Sequence, residues 1–255
     1  MLRLGHKVHK EHQVLKESKA HLNSVESVVL LSGKSLMFSG DWSGAISCWD
    51  MAPSGSDSSS SAKKKKSRKR PSPHEWAPVF SIKAHTQSTS GIVNDPNNGG
   101  RNIITSSHDH SLKLWDVDRQ DCVHTIAGAR VITCLSTAQP GCGKHVSTAH
   151  PDGIVRLWDM RVAAGAEGES GAVSLLGSSG PWTACVAAHP TDGTKLASCD
   201  YDGVVHLWDV RSSRALDKRA LHDGKALCVV WGASEEGSVV YSGGSDCCIK
   251  ATYLA

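Results

Sequence analysis

The chain has 255 residues, 39% hydrophobic and 21% charged, and no apolar run nears the roughly 18 residues that span a bilayer. That excludes a helical membrane protein and leaves room for one large all-β domain or two smaller ones. The net charge of +3 is concentrated in "KKKKSRKR" (63–70), which holds seven of the 28 basic residues; the rest of the chain sets 21 basic against 25 acidic residues and is a poor general binder of nucleic acid.

Nine cysteines are scattered, with Cys247 and Cys248 adjacent and no C-x-x-C pair. The N-terminal stretch "MLRLGHKVHKEHQVLKES" has no apolar core with a small-residue cleavage site, so a secretory signal is not expected. An odd count of thiols without such a signal reads as reduced cysteine inside a cell.

In chain order, residues 1–19 form a polar lead-in. Within it "HQVLKESKAH" (12–21) aligns with later outer strands and predicts an outer β-strand. "HKVHKEH" (6–12) comes nearest to a metal tract, but no partner motif completes a ligand set, and neither a metal nor a cofactor is expected. From residue 20 the sequence repeats. Aligned on tryptophan, the units run 20–50, 84–116, 127–159, 177–209 and 220–255, and three of them carry nearly the same ten residues: "HDHSLKLWDV" (108–117), "PDGIVRLWDM" (151–160) and "YDGVVHLWDV" (201–210). The fifth unit has Thr252 where the tryptophan should stand.

Each unit reads as β structure. A short apolar run such as "ITCLST" or "ALCVVW" leads to a Gly-containing turn and a second run such as "HVSTA" or "KLASC". A tight Asp-Gly turn follows, then an alternating strand ending in tryptophan; Asp-Gly supplies residues that tolerate the positive φ of a hairpin turn. One more strand precedes each unit, as in "PVFSIKAH", "DCVHTIAG" and "ALDKRALH". Four short strands recurring about every 43 residues predict the blades of a β-propeller. Between the first and second units lies an insertion, 51–78, rich in Ser, Lys, Arg and Pro. It cannot bury enough apolar surface to fold and is expected to be a disordered loop. The expected organisation is a lead-in (1–19), one blade (20–50), the insertion (51–78) and four further blades (79–255).

The units resemble WD repeats. In that family a His near the start of the repeat, a Ser or Thr on the middle strand, a turn Asp and the Trp form a buried hydrogen-bonded set. The resemblance implies this role for His85, Thr105, Asp109 and Trp115 in the second unit. It implies the same for Asp152 and Trp158 in the third, Asp202 and Trp208 in the fourth, and Asp246 in the fifth. The third and fourth units lack the His, and the first has Ser43 at the Asp position. His85, Asp109 and a nearby serine could be mistaken for a hydrolase triad. A catalytic group is needed once, however, whereas the turn Asp recurs in unit after unit, so the expected function is not enzymatic.

The arrangement further resembles the WD-repeat ribosome-biogenesis factors of the PeBoW complex, the Ytm family. The residues that carry this likeness are "SGDWSGAISCWD" followed by the basic insertion, "SSHDHSLKLWDVDRQDCVHTIAG", "HPDGIVRLWDMR" with "DYDGVVHLWDVRSSRAL", and a last unit ending "SGGSDCCIK" without Trp-Asp. The likeness spans residues 12 to 255. It implies the last five of seven blades, hence an open part of a ring rather than a closed five-bladed one, with no counterpart of the family's ubiquitin-like domain. It also implies a scaffold that binds a Bop-type WD-repeat protein and a Pescadillo-type protein on the pre-60S particle, in the nucleolus and nucleoplasm, during large-subunit assembly and pre-rRNA processing. Lys63, Lys64, Lys65, Lys66, Arg68, Lys69 and Arg70 form a candidate nuclear-targeting tract, and rRNA contact by this basic loop is compatible with that role. A different class shares one feature. Trp158-Asp159-Met160-Arg161 and Trp208-Asp209-Val210-Arg211 fit the Trp-Asp-x-Arg box of WD-repeat substrate receptors of cullin-type ubiquitin ligases.

Overall fold

The computed structural model describes residues 20–31, 34–51, 77–97, 101–139, 142, 145–161, 172–177, 181–234 and 237–253. The lead-in strand 12–19, the tract 63–70 and nearly all of the insertion lie outside these residues. The strands are β1 (Val25–Leu31), β2 (Leu36–Asp41), β3 (Ala45–Asp50), β4 (Phe80–Lys83), β5 (Thr89–Asn94), β6 (Asn102–Ser107), β7 (Ser111–Asp116) and β8 (Asp121–Ala127). They continue with β9 (Cys134–Thr137), β10 (Val146–Ala149), β11 (Val155–Trp158), β12 (Ala172–Leu176), β13 (Thr183–Ala188), β14 (Lys195–Asp200), β15 (Val204–Asp209) and β16 (Arg214–Ala220). The last three are β17 (Ala226–Ser234), β18 (Gly237–Gly244) and β19 (Ile249–Tyr253).

These strands form five antiparallel meanders: β1 to β4, β5 to β8, β9 to β12, β13 to β16, and the three-stranded β17 to β19. Blade boundaries are therefore offset from the repeat. Phe80–Lys83 precedes the second unit in sequence and falls in the region expected to form the four further blades (79–255), but it pairs with β3, Ile82 opposite Ile46, and so completes the first blade. This differs from the expected division. The insertion sits inside the first blade, between its third and outer strands, and the region from 79 onward begins by finishing that blade. The same offset places β8, β12 and β16 at the outer edges of the second, third and fourth sheets.

The two faces of each sheet have different neighbours, because side chains alternate along a strand. In β11 Val155 and Leu157 pack toward the fourth blade, while Trp158 packs toward the second. Four apolar clusters result, one at each interface between successive blades. Leu31, Phe38 and Ile46 meet Ile92, Ile103 and Trp115. Ile104 and Leu112 meet Leu135, Val146 and Trp158. Ala149, Val155 and Leu157 meet Val186, Leu196 and Trp208, and Ala197, Val205 and Leu207 meet Val229, Trp231 and Val240. The core is thus a stack of layers rather than one centre. The inner strands β1, β5, β9, β13 and β17 touch in that order, and among the described residues no contact of comparable extent joins β17 back to β1.

Each end of the stack presents a blade face against which no described residue packs in the manner of the interfaces. On the fifth blade Val230, Tyr241 and Ala251 lie in register on the face turned away from the fourth blade, beside Ile249. Val230 is 58% and Ile249 84% exposed. At the other end Val28 and Leu30 of β1 are half exposed on the face turned away from the second blade.

Candidate functional site

The turn between the second and third strands of each blade is held by a repeated polar network, built on one hydroxyl. Ser39, Thr105, Thr148, Ser198 and Ser242 occupy equivalent positions on β2, β6, β10, β14 and β18, and all are buried. Ten residues on, across the hairpin, an indole Nε1–H donates to the hydroxyl. Trp49 reaches Ser39 at 2.7 Å, Trp115 reaches Thr105 at 2.9 Å, Trp158 reaches Thr148 at 2.7 Å and Trp208 reaches Ser198 at 2.9 Å. The fifth blade keeps Ser242 but places the smaller Thr252 at the indole position.

In the second blade the chain of donors runs to a carboxylate. His85 Nε2 lies 2.8 Å from the Thr105 hydroxyl and Nδ1 lies 3.1 Å from Asp109 Oδ2. A neutral ring satisfies every member: indole N–H to hydroxyl, hydroxyl to Nε2, Nδ1–H to carboxylate. Burial lowers the His85 imidazole below its ordinary range, against the pull of Asp109, which fits that neutral form. Burial also works to raise the Asp109 carboxyl. The Ser111 hydroxyl at 2.6 Å and the Thr86 N–H at 3.0 Å outweigh it, aided by His85, and hold the group at about 2. The structure therefore brings His85, Thr105, Asp109 and Trp115 together in one connected set.

Elsewhere the same hydroxyl is reached by other routes. In the first blade His21 bridges Ser39 at 2.6 Å and Asp41 at 2.9 Å. Asp41 stands two residues before Ser43 and accepts from the Ser43 hydroxyl and the Ser43 and Ala45 N–H groups. The carboxylate enters from the near side of the turn, so the turn keeps its acceptor although Ser43 stands at the expected Asp position. In the third blade His150, also on the near side, lies 2.7 Å from Thr148 and 2.8 Å from the Val131 carbonyl oxygen. Asp152 accepts instead from the buried Arg156 guanidinium, at 3.1 and 2.8 Å. In the fifth blade His222 joins Ser242 at 2.9 Å to Asp246 at 2.9 Å.

The fourth blade departs furthest. The turn carboxylate is Asp200, which accepts from the Asp202 and Val204 N–H groups at 3.0 Å and from His206 Nε2 at 2.9 Å. The His206 ring stacks on Trp208, centroids 5.5 Å apart. Asp202 itself is exposed and contributes its backbone N–H, not its carboxylate, so the expected role of Asp202 falls to its neighbour two residues earlier. His21, Asp41, His150, Asp200, His206 and His222 were not singled out in the sequence. The signal for His21 and His222 was present: "KAH" at 19–21 repeats at 83–85, and "ALH" ends at 222.

The residue after the turn position held by Ser43, Asp109, Asp152, Asp202 and Asp246 adopts a left-handed backbone in every described blade: Gly44 (φ 85°), His110 (φ 70°), Gly153 (φ 76°), Gly203 (φ 79°) and Cys247 (φ 62°). Gly44 is fixed by space as well, since a Cβ there would stand 2.4 Å from the His85 carbonyl oxygen. At the other ends of the third strands, Arg161 and Arg211 fold back onto Asp159 and Asp209. Arg211 Nε and Nη2 reach the two Asp209 oxygens at 3.1 and 2.9 Å, and Arg161 grips Asp159 in the same forked way. These hydrogen bonds hold both carboxyls at about 2.

The face carrying the turns is rich in exposed aromatic surface. Trp42 and Tyr201 hold equivalent turn positions, and Trp42 is 62% exposed. Trp182 stacks on Tyr201 with centroids 5.5 Å apart and planes within 5°, and Lys225 Nζ sits 4.3 Å from the Tyr201 ring centre. Rigid aromatic groups beside a cation suit protein contact more than catalysis. Among the described residues no group of three or more His, Cys, Asp or Glu is disposed to hold a metal ion.

Comparison with known proteins agrees with this geometry. The family model described as "WD domain, G-beta repeat" matches residues 76–116, 120–159 and 173–209. The ribosome biogenesis protein WDR12 homolog of Brugia malayi is 28% identical over 91% of the chain and 52% of its own length. That of Nematostella vectensis is 28% identical over 89% of the chain and 54% of its length, and that of Arabidopsis thaliana 30% over 89% and 51%. The chain spans about half the length of these curated relatives. Five antiparallel meanders, four Trp–hydroxyl pairs at one spacing and the matched repeats show WD40 repeats in a β-propeller architecture, and the chain is similar over nine-tenths of its length to ribosome biogenesis WDR12 homologues.

Proposed function

We propose that the chain is a non-catalytic scaffold of ribosome biogenesis that contributes protein contacts to large-subunit assembly and pre-rRNA processing. The observation that carries this reading is the likeness to ribosome biogenesis relatives along nearly the whole chain, not only at its repeat signatures. The buried His and Asp groups support a structural role for themselves, since they recur blade by blade with their hydrogen bonds satisfied internally. The partners we propose are the Bop-type WD-repeat protein and the Pescadillo-type protein on the pre-60S particle, in the nucleolus and nucleoplasm. Nuclear entry is assigned to Lys63–Lys66 with Arg68, Lys69 and Arg70, which also supply charge for contact with rRNA.

The turn face, with Trp42, Trp182 and Tyr201, is the surface we assign to partner contact, because hot spots favour rigid aromatic side chains. Affinity capture of the tagged chain tests the proposal. Co-purification of large-subunit precursors with both partners is expected, and Trp42→Ala with Trp182→Ala should lose them without moving the unfolding midpoint. Capture of a cullin adaptor instead would replace the proposal with the ubiquitin-ligase reading. The forked Asp159–Arg161 and Asp209–Arg211 pairs weigh against that reading, because each guanidinium is already engaged by its own turn.

A further inference from the structure

Three cysteines occupy one equivalent position on consecutive inner strands. Cys134 of β9 lies opposite Ala149, Cys185 of β13 opposite Cys199, and Cys228 of β17 opposite Gly243. In the second, third and fourth blades this position points at the next inner strand. Its counterpart in the second blade is Gly91, where an added Cβ would stand only 2.6 Å from the Leu135 Cβ of β9. The Cys134 sulfur accordingly reaches across the interface, 3.6 Å from the Cys185 sulfur and 3.6 Å from the Val186 carbonyl oxygen. The two residues are 51 apart in sequence, and both are partly buried. A disulfide sulfur pair stands at about 2.05 Å, so side-chain rotation has roughly 1.5 Å to close.

We infer that Cys134 and Cys185 are an oxidisable pair, which peroxide converts to a disulfide joining the inner strands of the third and fourth blades. The two sulfurs lie in mutual contact, and Cys134 is taken as the first to attack. The Cys134 thiolate attacks one peroxide oxygen, the O–O bond breaks, and the departing hydroxide takes up a proton to leave as water. Cys134 is then a sulfenic acid. The Cys185 sulfur attacks the Cys134 sulfur, the S–O bond breaks, and a second water leaves with the Cys185 proton. Two thiols and one hydrogen peroxide yield one disulfide and two waters, with two electrons passing from sulfur to oxygen. Cys228 is exposed at the equivalent position with no described blade beyond it. Cys185 faces the Val229 carbonyl oxygen at 3.8 Å and has Cys199 as its cross-strand neighbour within the fourth blade, so Cys134 is the sulfur that it meets across the interface between the third and fourth blades.

The full chain, treated with hydrogen peroxide, blocked and digested with trypsin, tests this. Cys134 falls in the peptide 131–144, which also holds Cys142, and Cys185 in the peptide 162–195. Oxidation should link these two peptides, dithiothreitol should separate them, and Cys142→Ser should leave the link intact while Cys134→Ser abolishes it. The cross-link should raise the unfolding midpoint of the oxidised chain by several degrees, with no rise in Cys134→Ser. Links through Cys142 or Cys228 in place of Cys134–Cys185, or sulfinic acid at Cys134 with Cys185 still a free thiol, would overturn the inference. So would two free thiols after oxidant has modified the exposed Cys247 and Cys248.

Discussion

Alanine substitution at three turn carboxylates separates the network seen in the structure from the repeat pattern. Asp109→Ala removes the acceptor of the buried His85 Nδ1–H, the Ser111 hydroxyl and the Thr86 and Ser111 N–H groups. An orphaned buried donor costs about 1–3 kcal/mol. The imidazole is enclosed while part of the turn reaches solvent, so the expected loss is about 2–3 kcal/mol. Asp200→Ala removes the acceptor of two backbone N–H groups and His206 and should cost about 2 kcal/mol. Asp202→Ala, although it alters the residue in the repeat position of Asp109, should fall within about 0.5 kcal/mol of the parent. Urea unfolding followed by tryptophan fluorescence reads all three. The acid limb gives a second reading, because a carboxyl held at about 2 stabilises the fold above its unfolded value of 3.8 and loses that contribution as pH falls through 2. Asp109→Ala should flatten the stability profile between those pH values. A loss at Asp202 equal to that at Asp109, with Asp200→Ala neutral, would refute the assignment of the fourth turn to Asp200.

Three further outcomes follow from named groups. His110→Gly and Cys247→Gly relieve left-handed backbone where the other blades use glycine, and each should stabilise the chain by about 0.5–1 kcal/mol in the same urea assay. The His85 imidazole is lowered in the folded state, so below pH ~6.5 the unfolded chain takes up the proton first and stability should fall with pH. Midpoints measured from pH 7.5 to 5 should decline, and less steeply in His85→Gln. On the open face of the fifth blade, Tyr241→Thr with Ile249→Thr should reduce self-association seen by light scattering, because it removes exposed apolar area while the opposite, packed face is untouched.

The layered fold was legible in the sequence because two periods coincide there. Alternation along "GIVRLWD" sends Val155 and Leu157 to one neighbour and Trp158 to the other, and its recurrence down the chain repeats that division. What the sequence concealed was the phase. Phe80–Lys83 reads as the strand that leads into the second unit, yet it pairs with the edge of β3, across the insertion. Spacing measures distance along the chain, whereas blade membership is decided by which strand edge is unpaired. The open face shows the same limit. Val230, Tyr241, Ile249 and Ala251 read as ordinary strand residues, and only their register equivalence to Ala187, Ala197, Val205 and Leu207 marks them as one half of an interface.

The turn network divides in the same way. The Trp–hydroxyl pair keeps its ten-residue spacing in four blades because both residues sit on paired strands, where register fixes which side chains face each other. The carboxylate and imidazole obey no such rule. A tight turn presents its N–H groups on a small arc, and a side chain rooted on either side can reach them. Asp41 and Asp200 approach from the near side, Asp109 and Asp246 from the far side. The imidazole comes from the preceding segment as His21, His85 and His222, from the turn as His150, or from the next strand as His206. The turn N–H groups and the buried hydroxyl are satisfied without a fixed residue position. A pattern fixed on that position finds the complete set in the second blade. It misses the first, where His21 and Asp41 close the same circuit, and the third and fourth, where His150, Asp200 and His206 make only parts of it.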